Sequence, residues 1–87
     1  MDIETRRKKL RFRAAHRGLK ELDLFIGSFA EASVADMDEG QLDEFEAILD
    51  VPDNIMLDWI MGRQTPEYPA GGVLEAILKF EYPGGAA

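Results

Sequence analysis

Gly18 stands between two stretches of helical periodicity, in Arg17-Gly18-Leu19-Lys20-Glu21-Leu22-Asp23, and constrains the fold more than any other residue. Lacking a Cβ, it leaves helical geometry without steric cost, so one helix ends there and another begins across a tight corner. In this reading Gly18 is the N-cap of the second helix and Glu21 its N3 residue. A carboxylate at N3 reaches back to the cap N–H and meets the positive end of the helix. Arg17 and Glu21 are then both fixed beside the corner.

The apolar residues on either side recur at helical spacing. Strand alternation is scarce and β-branched residues are few. A first helix is expected over residues 4–16, with Leu10 and Ala14 four apart and Ile3 and Phe12 as further anchors. A second, over 19–32, places Leu22, Phe25, Ile26 and Phe29 on one stripe, with Gly27 weakening its middle. The third has the clearest start: Asp38 as N-cap, Gln41 at N3, and Met37 and Leu42 as a hydrophobic staple. Leu42, Phe45, Ile48 and Leu49 form its core face. Pro52 suits the first turn of a fourth helix carrying Ile55, Met56, Trp59 and Ile60, which Gly62 closes. A short fifth helix over 71–80 presents Val73, Leu74, Ile77 and Leu78.

These elements predict an all-α fold, a compact five-helix antiparallel bundle. Its core is expected to hold Leu22, Phe25, Phe29, Phe45, Leu49, Trp59, Ile60 and Ile77. At 87 residues the chain is long enough for one domain. A single core of that size supplies about 3–5 kcal/mol of net stability and leaves little room for a large catalytic pocket. The domain is expected over residues 1–80, and residues 81–87 as a flexible tail.

Charge is split along the chain. Residues 1–20 hold eight of the ten basic residues against two acids, a net of +6; the remainder holds two basic residues against fifteen acids, a net of −13. A basic arm of this kind suits phosphate or an acidic docking partner. The acidic body and the lack of an aromatic stacking platform beside the arm argue against nucleic acid.

Catalytic constellations are largely absent. Ser28, Ser33 and Thr65 have only His16 as a base and no nucleophile-elbow motif. There is no cysteine, which excludes disulfides and thiolate metal sites. His16 has no second histidine with which to hold a metal. Gly71-Gly72 is neither a P-loop nor a dinucleotide fingerprint, and the acids at 36, 38, 43, 44 and 46 lack the loop spacing of a calcium hand. Trp59, at helical spacing from Ile55 and Met56, reads as core and not as a flavin-stacking residue. No apolar run approaches a membrane span, and Met1-Asp2-Ile3-Glu4 does not open a signal core, so a cytoplasmic location is expected.

Two motifs carry a resemblance. Arg17-Gly18-Leu19-Lys20-Glu21-Leu22-Asp23 matches the R-G-x-x-E-x-D signature of the succinate dehydrogenase assembly factor family, the small flavinylation factors of bacteria and mitochondria. Residues 50–62, Asp-Val-Pro-Asp-Asn-Ile-Met-Leu-Asp-Trp-Ile-Met-Gly, resemble the family's D-x-P-D-x-x-x-x-x-W-[LI]-M-G helix. The resemblance covers residues 5–80; the segment 35–40 and the glycine-rich tail follow no family pattern.

The resemblance implies a non-enzymatic, all-α assembly factor. Such a factor promotes covalent attachment of FAD to the flavoprotein subunit of succinate dehydrogenase, and in some lineages of the related fumarate reductase flavoprotein. It implies that the reacting groups belong to the client, as does the FAD. Stable binding of a cofactor by this chain is not expected, because a core of this size has no room for FAD and no phosphate site is evident. The family's client-binding surface carries over to Arg17, Gly18, Glu21 and Asp23. No nucleic-acid partner and no direct membrane insertion are expected. Two other readings remain at this point: an antitoxin-like regulator that binds a different protein, and a small nucleic-acid-binding helical domain.

Overall fold

Local capping chemistry sets the start of two helices and the end of a third. The computed structural model describes residues 2–68 and 71–81. These residues form α1 (Ile3–Ala15), α2 (Lys20–Ser33), a 3₁₀ turn (Val34–Asp36), α3 (Glu39–Leu49), α4 (Asp53–Ile60) and α5 (Val73–Leu78), with no strand among them. Asp38 opens α3 with a complete capping box: its Oδ1 accepts from Gln41 N–H at 2.8 Å, and Gln41 Oε1 accepts from the Asp38 N–H at 3.0 Å. The stapling residues Met37 and Leu42 are both buried, as expected. Asp2 caps α1 through the Thr5 N–H at 2.9 Å, and that bond holds its carboxyl below the usual aspartate range.

Gly62 closes α4 at φ +78°. Its N–H bonds to Trp59 O, and the next N–H, of Arg63, bonds to Asp58 O, which completes a Schellman motif. The short α5 takes its start from another helix: Glu44 of α3 accepts from the Val73 N–H at 2.6 Å. α5 is shorter than periodicity suggests, six residues within the expected ten. Residues 82–87, most of the expected tail, lie outside the described residues.

Leu22, Phe29, Phe45, Leu49 and Ile77 are buried, joined by Leu10, Ala14, Ile26, Val34, Leu42 and Met56 among others. Phe25, Trp59 and Ile60, expected at the centre, are half-buried and pack against that core from its edge. Phe12 departs further, at 64% exposed. It lies two residues, and so about 200° around the helix, from Leu10, and the Leu10–Ala14 side is the one that faces inward. Gly27 has a packing role: a Cβ there would meet the Ala15 Cβ at 3.2 Å and its Cα at 3.3 Å. The missing side chain lets α1 and α2 approach closely. The Cα radius of gyration, 12.2 Å, matches the ~12 Å of a compact chain of this length.

Part of the split charge is paired within the molecule. Arg6 of α1 bonds both Asp43 and Glu46 of α3, and Arg13 bonds Asp50 at 2.8 Å. The two carboxylates hold the Arg6 guanidinium above the ordinary arginine range. One face of the basic arm therefore docks on the acids of α3 and its C-cap.

Candidate functional site

The chain leaves α1 at His16, whose backbone N–H bonds to Arg13 O, and turns through Gly18 at φ +105°. A residue with a Cβ is strained there, whereas glycine is not. The N-cap of α2 is Leu19, in extended conformation and without a side-chain cap. Gly18 therefore stands one position before the N-cap, and Glu21 is at N2, too early for the reciprocal bond of a capping box.

Asp23 organises the corner instead. Its Oδ1 accepts from the backbone N–H of Arg17 at 2.6 Å and from that of Gly18 at 3.3 Å. A single carboxylate from the first turns of α2 thus satisfies both donors of the turn. Glu21 is exposed, and its carboxylate makes no hydrogen bond or ion pair among the described residues. Gly18 is exposed as well, with no atom within 4 Å of where a Cβ would stand.

Arg17 turns the other way. Its side chain is only 7% exposed and is used at all three nitrogens: Nε donates to Asp53 Oδ1 at 2.9 Å, and the two terminal nitrogens donate to the carbonyls of Leu49 and Val51. These acceptors lie at the end of α3, in the following turn and at the start of α4. Such a set matches the planar fork of guanidinium and would be poorly met by an ammonium. The four candidate residues are thus brought together in two roles, with Gly18 and Glu21 at the surface and Arg17 and Asp23 holding the turn in place.

The pairing joins the two sequence motifs. Asp53, within the second motif, was not among the candidate residues, and neither were the Leu49 and Val51 carbonyls. A signal for the acids was present: the arginines at 6, 13 and 17 and the acids at 43/46, 50 and 53 follow matching helical intervals, as two complementary stripes would. The carbonyls carry no side-chain signal. Beside the pairing lies an open groove of about 380 Å³ lined by residues including Phe12, His16, Arg17, Val51 and Pro52. No cluster of three or more histidines and acids with metal-binding geometry occurs among the described residues. No helix among them is long and apolar enough to cross a membrane.

Residues 8–81 match a family model described as the flavinator of succinate dehydrogenase. The chain is similar to the FAD assembly factor SdhE of Acetobacter pasteurianus, with 39% identity over 90% of this chain and 72% of that protein. It is 37% identical to the mitochondrial succinate dehydrogenase assembly factor 2 of Dictyostelium discoideum, over 87% of this chain and 55% of that longer protein. An SdhE of Coxiella burnetii is 35% identical over 69% of the chain and 72% of its own length. No solved structure matches.

Proposed function

The chain belongs to the family of flavinators of succinate dehydrogenase, and from that membership and the geometry of its corner we propose that it promotes covalent FAD attachment to the succinate dehydrogenase flavoprotein. The family consists of assembly factors, not enzymes in their own right. The observation that carries the reading is the Arg17 clamp, which joins the two family motifs into one rigid corner with Gly18 and Glu21 outermost.

In this reading Gly18 lets the client backbone come close, and Glu21 gives a charge-assisted hydrogen bond that strengthens as the interface dries. The uncapped first turn of α2 adds backbone donors next to them. Arg17 and Asp23 contribute by holding the turn. The factor acts by position, keeping the client's domains where its own groups and FAD react. FAD remains the client's cofactor, and this chain supplies no group to the new bond. The fumarate reductase flavoprotein is a second client of the same chemistry. Residues 1–80 act as one antiparallel helical domain in the cytoplasm, without nucleic acid and without insertion into a membrane.

The test is reconstitution of purified apo-flavoprotein with FAD, with covalent flavin read by in-gel fluorescence. Adding the parent chain should raise the yield. Glu21→Ala should give little of that gain while melting close to the parent, since an exposed first-turn carboxylate contributes about 0.3–1 kcal/mol. Equal yields with and without the parent chain would contradict the reading.

A further inference from the structure

The outward stripe of α1 is unlike the rest of this acidic molecule. Lys8, Lys9, Phe12 and His16 fall within about 100° of one another around the helix, on the side away from Leu10 and Ala14. All four are exposed, and neither lysine makes an ion pair among the described residues, whereas Arg6, Arg13 and Arg17 are occupied by α3, the turn after it and the start of α4. Phe12 is 64% exposed, its ring stacked on His16 with centroids 4.0 Å apart and planes 16° from parallel. The imidazole is fixed in turn: Nδ1 lies 2.8 Å from the Phe12 carbonyl. A carbonyl only accepts, so Nδ1 carries a proton toward it. The result is a flat aromatic platform flanked by two unpaired ammonium groups, and it runs directly into the corner at Arg17 and Gly18.

Resting on the client reading above, we propose that this stripe is the second half of the same interface, and that it seats an acidic segment of the flavoprotein whose apolar side chain covers Phe12. Charge complementarity selects that occupant. The stripe is basic while residues 21–87 carry a net of −13, so a second copy of this chain would offer it acids but would also bring acid against acid elsewhere. The Phe12–His16 stack supplies the aromatic platform that the sequence did not show beside the arm, so the case against nucleic acid rests on charge: a phosphate backbone tracking along the helix meets Asp43, Glu46 and Asp50 beside the paired arginines. An exposed aromatic at the centre with charges around it is the usual layout of a binding hot spot. The lysines then act mainly on the rate and salt dependence of association, and Phe12 on the lifetime of the complex.

The experiment measures binding of the purified chain to apo-flavoprotein by biolayer interferometry at two salt concentrations, with a 20-nucleotide single strand as a second analyte. Phe12→Ala should weaken binding about tenfold, mostly through faster dissociation. Lys8→Glu with Lys9→Glu should slow association several-fold and flatten its salt dependence. All these side chains are exposed, so melting should stay at the parent value. Parent-like binding by both variants overturns the inference while leaving the corner reading intact. Failure of the parent itself to bind overturns both. Binding of the single strand that the lysine variant alone abolishes, without any change toward the flavoprotein, assigns the stripe to nucleic acid and also overturns the inference.

Discussion

Gly18 and Gly62 occupy corners that look alike and are built differently. Both have positive φ, +105° and +78°, and both have open space where a side chain would go. The Gly62 corner is local. Its bonds reach back only to Asp58 and Trp59, and Arg63 pairs with Asp58 on the surface. The Gly18 corner is held from a distance, by Asp23 across the turn and by Arg17 anchored to residues 49–53. A turn that only has to end a helix needs nothing more than its own backbone. A clamp spanning more than thirty residues is what a turn needs if it must present one fixed surface.

The two corners should differ most at their arginines. Arg17→Ala should destabilise the fold by about 2–4 kcal/mol, since it leaves Asp53 and two carbonyls without their partner in a part-buried site. Arg17→Lys should recover only part of that, because one ammonium cannot span the three acceptors. Chemical denaturation of the purified variants measures both; if Arg17→Ala melts like the parent, the clamp has no structural weight. At the other corner the same truncation should matter little. Arg63→Ala is expected to cost at most about 1 kcal/mol, because the Arg63–Asp58 pair is largely solvated, with the arginine side chain 54% exposed. A loss at Arg63 as large as that at Arg17 would erase the distinction between a local and a remotely held turn.

How much of this was legible in the sequence follows from the range of the interactions. The α3 capping box, its staple and the Gly62 stop are set within about five residues, and they stand where the pattern puts them. Phe12 was misassigned because periodicity ranks residues by hydrophobicity and does not know which face another helix will cover. The same limitation moved Phe25, Trp59 and Ile60 to the edge of the core. At the site, Arg17, Gly18, Glu21 and Asp23 were legible as a group, but their division of labour was not. Glu21 was given the capping role because of its spacing from Gly18, and the turn's donors went instead to Asp23, five residues beyond Gly18. That choice depends on where the chain bends, and the bend is fixed by Arg17 reaching residues 49–53, which no local pattern encodes.

The most direct measurement is the matched pair Gly18→Arg and Gly62→Arg in cells whose own copy of the factor has been replaced. Each substitution places the same side chain into open space, at a positive φ that costs about 1–3 kcal/mol of backbone strain. Thermal melts of the two purified variants should therefore fall by similar amounts. In-gel fluorescence of covalent flavin on the succinate dehydrogenase flavoprotein should be lost with Gly18→Arg and retained with Gly62→Arg. Full flavinylation with Gly18→Arg, or equal loss with both, would contradict the assignment of the Gly18 corner to the client.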